Sequence, residues 1–306
     1  MARLLFIGST VADVVLRTPC LPVTGQDVNL LSQRVSLGGC AYNAFHTARL
    51  TGQADCTLFS PIGSGVWGDF VRRSLAKRGV VSAAPQVDEP NGCCYCLVEP
   101  DGERTFLCEY GAEYRFQAEW FDALAGDWDG VYLCGLEVEE DTGKSILRYL
   151  EAHPPKKLYF APGPRLIHIP PSHLARVFAL SPLLHLNETE LEQFTREEDI
   201  SRASAMLHAL TAGDVVVTLG ARGAYARLGD QEAFVPGVPA RVVDTIGAGD
   251  SHIGALMAAL ADGLAPGEAL LRANRVAAAV VSQEGAELSP ETWARLSQTY
   301  ERRIKA

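Results

Sequence analysis

The chain has 306 residues, 47% apolar and 21% charged, a composition that is ordinary for a soluble α/β protein with one large core or two modest ones. Its formal net charge of -10 argues against binding to nucleic acid or to an anionic membrane, because either surface would need clustered lysine and arginine. No apolar run approaches the length needed to cross a bilayer, so we expect a cytoplasmic protein.

The N-terminal segment resembles a signal peptide only superficially. Its apolar run is interrupted at Gly8-Ser9 and ends at Asp13, without a small-x-small cleavage site. Leu4 to Gly8 therefore predicts a buried first strand. The next segment, Asp27 to Leu37, alternates loosely between polar and apolar residues, which indicates one or two half-exposed strands.

Helices and strands then alternate along most of the chain. The predicted elements are a helix that begins after Gly38-Gly39, a strand at Thr57 to Ile62, a helix at Trp67 to Arg78, strands at Val131 to Leu136, Lys157 to Ala161, Leu183 to Leu186 and Val215 to Leu219, and helices such as Thr142 to Glu151 and Arg202 to Leu210. This alternation predicts a single α/β domain over residues 1–306, a three-layer Rossmann-like parallel sheet with helices on both faces. Such sheets bind ligands beyond the carboxyl ends of their strands.

Residues 91–111 interrupt the alternation. Cys93 to Glu99 and Arg104 to Tyr110 flank an Asp-Gly turn and predict a β-hairpin. A hairpin has no place in a parallel sheet, so we expect it to pair with the segment near residues 15–37 in a small sheet that projects from the main body. One face would be apolar (Cys94, Cys96, Val98, Phe106 and Cys108), and Arg104 would lie near the solvated tip with Glu99, Asp101 and Glu103.

The eight cysteines are predicted to be free thiols. Cys93, Cys94 and Cys96 cluster, but no second Cys-x-x-Cys and no histidine pair completes a tetrahedral zinc site. In a strand, Cys94 and Cys96 would share one face and Cys93 would point to the other. A metal-free structural role in a reducing compartment is favoured over disulfides or zinc.

The stretch Asp244-Thr245-Ile246-Gly247-Ala248-Gly249-Asp250 joins two apolar patterns. Ala233 to Pro236 and Arg241 to Val243 predict short extended segments before it, and apolar residues at helical spacing follow it. Small residues at a helix start leave backbone N–H groups uncovered, and the helix dipole makes them a site for a phosphate or an oxyanion. Asp250 is then either a helix cap or a proton acceptor, and the second carboxylate six residues upstream favours the acceptor.

These residues also carry a family resemblance. The stretch resembles DTxGAGD, the C-terminal signature of the ribokinase-like carbohydrate kinases of the PfkB family, and Gly38-Gly39-Cys40-Ala41-Tyr42-Asn43-Ala44 resembles the family's N-terminal GG-x-x-x-N-x-A segment. The resemblance covers essentially the whole chain. It implies a ribokinase-like fold in which the small sheet is a lid over the sugar site, with ATP and Mg²⁺ as the phosphoryl donor and its metal.

The resemblance implies a role for each matching residue. Asp250 would be the general base, with the backbone N–H groups of Ile246, Gly247, Ala248 and Gly249 around the transferring phosphoryl group. The substrate would contact Asp13, Gly38, Gly39, Asn43 and Glu137, and the nucleotide Asn187, Thr218, Gly220, Gly223 and Asn274. Glu190 would act on Mg²⁺ through water, and Asp244, Ile246, Val280, Gly285 and Ser289 would bind a monovalent cation such as K⁺, as in some members. Without the resemblance, Asp13 reads as a turn residue, Asn43 as a helix cap and Asn274 as a polar helix residue.

Two departures from the family pattern bear on the substrate. Cys40 stands where some ribose-specific members have lysine, and His252 stands where the family usually has phenylalanine. His252 either touches substrate or packs within its helix, and packing is favoured.

We expect an ATP-dependent kinase that phosphorylates a hydroxymethyl group of a sugar, with a lid that closes over it and contributes to a homodimer. The alternatives are a nucleoside kinase, with pseudouridine as one substrate, and a non-catalytic sugar sensor, against which the intact Asp250 argues.

Overall fold

The computed structural model describes residues 1–304, with side chains described for residues 1–297. The strands are β1 (Arg3–Ile7), β2 (Val11–Arg17), β3 (Ser32–Gly38), β4 (Asp55–Phe59), β5 (Ile62–Ser64), β6 (Gln86–Pro90), β7 (Cys93–Val98), β8 (Arg104–Glu109), β9 (Gly130–Cys134), β10 (Leu158–Ala161), β11 (Leu183–Asn187), β12 (Val215–Thr218), β13 (Gly223–Leu228) and β14 (Gln231–Pro236). The helices are α1 (Cys40–Thr51), α2 (Gly65–Lys77), α3 (Gly135–Glu139), α4 (Gly143–Ala152), α5 (Pro171–Phe178), α6 (Glu188–Thr195), α7 (Ile200–Thr211), α8 (Ala248–Ala261), α9 (Pro266–Val280) and α10 (Pro290–Ile304).

An eight-stranded sheet forms the centre of the molecule, in the order β14-β13-β12-β11-β10-β9-β1-β4. The six strands from β12 to β4 are parallel, and their apolar residues are buried on both faces of the sheet by two separate clusters. Helices α1, α8 and α9 contribute to one cluster, and α4, α5 and α7 to the other. The predicted three-layer α/β architecture is therefore confirmed, whereas the antiparallel strand β13 was not predicted.

Residues 241–243 differ from the predicted extended segment. β14 is the edge strand and ends at Pro236, and Val242 and Val243 lie in an exposed loop. The N–H groups of Val243 and Asp244 both donate to the carbonyl of Val281, at 2.7 and 3.2 Å. The chain thus finds its hydrogen-bond partner at the end of α9 and not in a sheet, so the prediction of a strand before the Asp244–Asp250 turn is wrong.

The end of β9 also differs from the prediction. The strand stops at Cys134, and Leu136 already belongs to helix α3. A side chain at Gly135 would begin 2.0 Å from the carbonyl oxygen of Pro162, so the backbone passes another segment closely at this point. The chain turns at Gly135, so the side chains after it do not alternate between two faces as they would in a continuing strand.

A separate four-stranded sheet lies at the carboxyl ends of the central strands, and we call it the lid. Its order is β3-β2-β7-β8, with β2 and β7 parallel and the other pairs antiparallel. The predicted hairpin is present, and its partner segment starts at Val11, earlier than the expected residue 15. Asp13 pairs with Cys94, which in turn pairs with Cys108, so these side chains share one face of the lid. The strands β5 and β6 form a third, two-stranded sheet.

A buried carboxylate holds the base of the lid hairpin. Glu113 is completely buried and accepts hydrogen bonds from the N–H groups of Gly92 at 2.8 Å and Gly111 at 3.1 Å. These two glycines stand where the hairpin leaves and rejoins the main body. One side chain therefore ties both ends of the hairpin together.

Over residues 1–304, none of the helices is both long enough and apolar enough to span a membrane.

Candidate active site

Two cavities meet at the turn that precedes α8. The first has a volume of about 750 Å³ and lies beneath the lid; the second has a volume of about 540 Å³ and lies between α8, α9 and the β12–β13 connection. Gly247 and Asp250 line the first cavity, Ala248 and Gly249 line the second, and Thr245 lines both. The turn is therefore a shared wall, which is the position that transfer of a group between two bound molecules requires.

The turn presents backbone N–H groups at the start of α8. Gly247 is the N-cap and has φ +70°, and a side chain there would begin 2.3 Å from the Cβ atom of Ala286. A side chain at Gly249 would meet nothing within 4 Å, so the space above this residue is open. The first N–H groups of a helix lack intrahelical partners and carry partial positive charge. Two expected donors are engaged elsewhere: the N–H of Ile246 donates to Asp244 Oδ1 at 2.8 Å, and the N–H of Ala248 donates to the carbonyl of Thr245 at 3.3 Å.

Asp250 lies in the first turn of α8 and faces the first cavity. Its Oδ2 accepts a 3.0 Å hydrogen bond from Asn43 Nδ2, and the Cys40 thiol also contacts it. Burial raises the pKa of Asp250 to about 6, while the contacts with Asn43 and Cys40 lower it. A carboxylate with this pKa is ionised at neutral pH and remains basic enough to accept a proton.

The glycine pair gives Asp13 its place in the same cavity. A side chain at Gly38 would begin 1.8 Å from Asp13 Oδ2, and one at Gly39, where φ is +101°, would begin 2.5 Å from the carbonyl oxygen of Ser9. Burial, together with the negative charge of Asp250, raises the pKa of Asp13 to about 7. Two carboxylates that face one cavity with raised pKa values can accept hydrogen bonds from hydroxyl groups.

Glu137 does not reach this cavity. It is completely buried, and its Oε1 accepts a 2.7 Å hydrogen bond from the N–H of Ser9. Burial raises the pKa of its carboxyl group. The preceding residue, Leu136, lines the cavity instead. In this structure, Glu137 therefore supports the backbone behind the substrate cavity.

Asn187 and Glu190 form a capping box at the start of α6. Asn187 Oδ1 accepts from the N–H of Glu190 at 2.8 Å, and Glu190 Oε2 accepts from the N–H of Asn187 at 3.0 Å. Asn187 also lines the first cavity. Burial raises the pKa of Glu190, and the nearby charge of Asp250 raises it further. These oxygen groups suit Mg²⁺ that keeps several waters, and the described residues include no cluster of three or more acidic, histidine or cysteine side chains that could ligate it directly.

The second cavity contains the residues expected to bind nucleotide. Thr218, Gly220, Gly223 and Asn274 all line it, together with the apolar side chains of Val238, Val242 and Val281. A mostly apolar pocket with a few polar groups suits a nucleobase and ribose, and it opens toward the N–H groups at the start of α8.

His252 packs inside α8 and also borders the second cavity. It lies 2.8 Å from His185 Nε2 through Nδ1 and 3.1 Å from Asn274 Oδ1 through Nε2. Burial lowers its pKa to about 4 and holds that of His185 well below the usual range, so both rings are neutral. Asn274 Nδ2 donates to the carbonyls of Val235 and Pro236, at 3.1 and 3.2 Å, which leaves its oxygen as an acceptor for His252. Asn274 is thus part of a buried hydrogen-bond network with His252 and His185.

The residues expected to bind a monovalent cation are only partly together. Asp244 accepts from the N–H groups of Ile246 at 2.8 Å and Gly285 at 3.0 Å. Val280 is fully buried in α9, and Ser289 Oγ accepts from the N–H of Thr292 at the start of α10.

The cysteines follow the predicted strand pattern. Cys94 and Cys96 line the first cavity, whereas Cys93 does not. Cys94 Sγ lies 3.5 Å from Cys108 Sγ across the β7–β8 pair. All eight cysteines are free.

Sequence reasoning placed Arg104 wrongly at the solvated tip of the hairpin. Its side chain is only 17% exposed and pairs with Asp244. The alternation along β8 could have revealed which face Arg104 shares, since Arg104 lines the first cavity with Phe106 and Cys108, but not its partner. Glu113 was not recognised, because a buried glutamate in a short 3₁₀ helix has no distinctive local pattern.

Comparison with known proteins agrees with this arrangement. Residues 1–293 match the model of the pfkB family of carbohydrate kinases. The uncharacterized sugar kinase YegV of Escherichia coli strain K12 is 36% identical over 290 residues, which cover 93% of this chain and 90% of that protein.

Two solved structures share the fold. The ribokinase of Thermotoga maritima superposes with a TM-score of 0.83 at 22% identity, covering 97% of this chain and 100% of that one. The nucleoside kinase of Burkholderia thailandensis, solved with inosine, gives a TM-score of 0.80 at 19% identity, with 99% of each chain covered. The chain belongs to the pfkB family of carbohydrate kinases, and it is an ATP-dependent sugar or nucleoside kinase.

Proposed function

We propose that this enzyme transfers the γ-phosphoryl group of ATP to a hydroxymethyl group of a neutral sugar, and that it does so in the cytoplasm. The observation that carries the proposal is the position of Asp250 on a wall shared by two cavities. ATP would occupy the cavity beside Thr218 and Asn274, and the sugar would occupy the cavity beneath the lid.

Asp250 would accept the proton of the attacking hydroxyl group. Its carboxylate is the active form, and the hydrogen bond from Asn43 orients it and favours its ionisation. General base catalysis of this kind contributes roughly 10²–10⁴-fold to the rate. Asp13, with its raised pKa, would accept hydrogen bonds from the sugar's other hydroxyl groups and hold the attacking oxygen in line.

The start of α8 would stabilise the charge that develops on the transferring phosphoryl group. The N–H groups of Gly247 and Gly249 stand between the cavities, where donors act on the transition state without reorganising. When bound, Mg²⁺ would neutralise the phosphate oxygens. Glu190 would hold it through water, with Asn187 beside the phosphates, because the carboxylates of Glu190 and Asp250 are close enough to interact and would both attract a cation.

The charges in the first cavity favour a neutral substrate over a sugar phosphate. Asp13, Glu103 and Asp250 line it, and the guanidinium group of Arg104 is engaged by Asp244. A phosphate or carboxylate on the substrate would therefore meet carboxylates without a matching cation.

A nucleoside is the second candidate. The lining of the first cavity also includes Phe106, Tyr114, Leu136 and Pro164, which offer apolar and aromatic surface to a base. The volume of about 750 Å³ leaves room for a base beside the ribose.

The test is a panel of pentoses, hexoses, deoxysugars, sugar phosphates and ribonucleosides, including pseudouridine, assayed for ADP release, with the product ester located by ³¹P–¹H NMR. The proposal expects the highest kcat/KM for a neutral sugar and an ester on its hydroxymethyl oxygen. A ribonucleoside as the best substrate would support the second candidate. ATP binding without turnover on any compound would overturn both and favour a sensor.

A further inference from the structure

Asp244, the first residue of the turn, is held by a lid arginine. Its side chain is only 10% exposed, and Arg104 Nη2 lies 3.0 Å from its Oδ1. The other guanidinium nitrogen, Arg104 Nη1, donates to Thr245 Oγ1. Asp244 in turn accepts from the N–H groups of Ile246 and Gly285. One arginine therefore neutralises the carboxylate that organises both backbone segments beneath the turn.

The same carboxylate was expected to help bind a monovalent cation, and its surroundings do not fit one. Besides Arg104, the guanidinium group of Arg34 approaches Gly285, with nitrogens 3.1 and 3.2 Å from the place where a side chain would begin. Two fixed positive charges thus border the site, and like charges repel.

Two of the residues expected to complete the cation site, Val280 and Ser289, already accept hydrogen bonds through their oxygen atoms. The carbonyl of Val280 accepts from the N–H of Gln283 at 3.2 Å. The carbonyl of Ser289 accepts from the N–H of Trp293 at 3.0 Å, and Ser289 Oγ accepts from Thr292. A cation would have to share these oxygen atoms with their present donors and tolerate two guanidinium groups nearby, so the charges around the site disfavour one.

We propose that Arg104 supplies the positive charge beside Asp244 that a bound monovalent cation would otherwise supply, and that the enzyme works without K⁺. Arg104 is a positioning residue: it acts through Asp244 and Thr245 and touches no reacting atom. The inference rests on the proposed function only for its kinetic readouts.

The positive charge beside Asp244 comes from the lid, so its presence there depends on the position of the lid. Arg104 is the first residue of β8 and belongs to the lid, whereas Asp244 and Thr245 belong to the main body. Opening the lid would withdraw the guanidinium group from Asp244. The turn that receives the phosphoryl group is therefore fully organised only when the lid is closed, which couples closure over the substrate to the assembly of the catalytic turn.

The first experiment needs only the wild-type protein. Its melting temperature and the amide hydrogen exchange of residues 243–250 are measured in KCl and in choline chloride at equal ionic strength, which separates specific binding from screening. We expect no difference, and a kcat that changes by less than about twofold where a substrate is known. Slower exchange at 243–250 in KCl, or strong activation by K⁺, would overturn the proposal. The exchange readout remains valid even if no sugar is phosphorylated, so failure of the proposed function is distinguishable.

The second experiment compares Arg104→Ala with Arg17→Ala. Arg17 is also a lid arginine, but it pairs with Glu284 in a bridge whose two side chains are 49% and 56% exposed. We expect Arg104→Ala to speed exchange at 243–250 and to lower kcat on the order of 10–100-fold with ATP affinity little changed, because the turn is displaced and not removed. Guanidinium ion or K⁺ should restore part of the lost kcat.

Arg17→Ala should match wild type in each assay. Equal behaviour of the two variants, or no rescue by either cation, would refute the role of Arg104.

If Arg104→Ala does not fold, Arg104→Lys serves in its place. Lysine retains the charge but cannot bridge Asp244 and Thr245 in the same planar geometry. We expect faster exchange at 243–250 with a smaller loss of kcat. Wild-type behaviour of Arg104→Lys in both assays would contradict the bridging role.

Discussion

Asn43 and Asp250 are 207 positions apart in the sequence, and Asn43 Nδ2 donates a 3.0 Å hydrogen bond to Asp250 Oδ2. Their helices, α1 and α8, pack closely because a side chain at Gly254 would begin 2.3 Å from the carbonyl oxygen of Ala44. The absence of a side chain at Gly254 therefore lets the two family motifs meet. The proposed general base and the asparagine that donates to it are brought together by the packing of two helix backbones.

The first prediction concerns Asp250→Asn. The change is nearly isosteric and removes the proton acceptor, so kcat should fall roughly 10²–10⁴-fold while ATP affinity stays the same. Single-turnover kinetics and calorimetric titration with an ATP analogue measure the two effects. Asp262→Asn is the matched control, since Asp262 follows the same helix, pairs with Arg272 and lines neither cavity. A fall in kcat of less than about tenfold for Asp250→Asn would remove its assignment as general base.

The pH dependence provides a second prediction. Burial raises the pKa of Asp250 to about 6, and the ionised form is the active one, so kcat/KM should rise with pH and level off above that value. The hydrogen bond from Asn43 lowers this pKa, and Asn43→Ala should therefore move the midpoint to higher pH. Asp13, with a pKa of about 7, is coupled to Asp250 by charge repulsion, so the profile reports the pair. A midpoint near pH 4, or one that Asn43→Ala leaves in place, would contradict this account.

A structural feature can be predicted from the sequence when it depends mainly on residues that are neighbours in the chain. The small-residue turn before α8, the hairpin turn and the alternating layers have local signatures, and the structure has them where expected. The pairing of Arg104 with Asp244 depends on how the lid sits over the body, which no local pattern encodes. Glu137 was expected at a strand end, but the chain turns at Gly135 and buries it. Tertiary packing determines the positions of both Arg104 and Glu137.

A third prediction tests the buried network around His252. His252→Phe would leave His185 and Asn274 without their shared partner inside the protein. Each unpaired buried group costs about 1–3 kcal/mol, so with two such groups the free energy of unfolding should fall by roughly 2–6 kcal/mol, measured by urea denaturation. The double variant His185→Leu/His252→Phe removes one of the two orphaned groups and should recover part of the loss. If His252→Phe is as stable as wild type, the network contributes nothing to stability.

The fourth prediction concerns lid closure. Hydrogen exchange of residues 91–111 should slow when substrate saturates the enzyme, because closure buries the cavity face of β7 and β8. Glu113→Gln should speed exchange at the hairpin base without ligand, since an amide cannot accept from both Gly92 and Gly111 as the carboxylate does. Glu109→Gln, on the exposed part of β8, is the control. Exchange that is unchanged at saturating substrate would refute closure.

The last prediction is that the protein is a homodimer joined through the lid. The sheet face that points away from the cavity carries Leu107, which is 58% exposed, and the β2–β3 connection exposes Val23, Leu30 and Leu31 at 71%, 47% and 66%. Exposed apolar side chains on the lid sheet and on the connection between two of its strands indicate surface that another molecule covers.

A second copy of the lid offers the same apolar face, and a two-fold arrangement would bury both copies at once. We expect sedimentation equilibrium to give twice the mass of one chain, and the double variant Leu31→Glu/Leu107→Glu to give a monomer. Leu210→Glu, at a 60% exposed position on α7, should remain dimeric. A wild-type protein of single-chain mass would refute the dimer and leave lid closure untouched, because closure requires only the contacts within one chain.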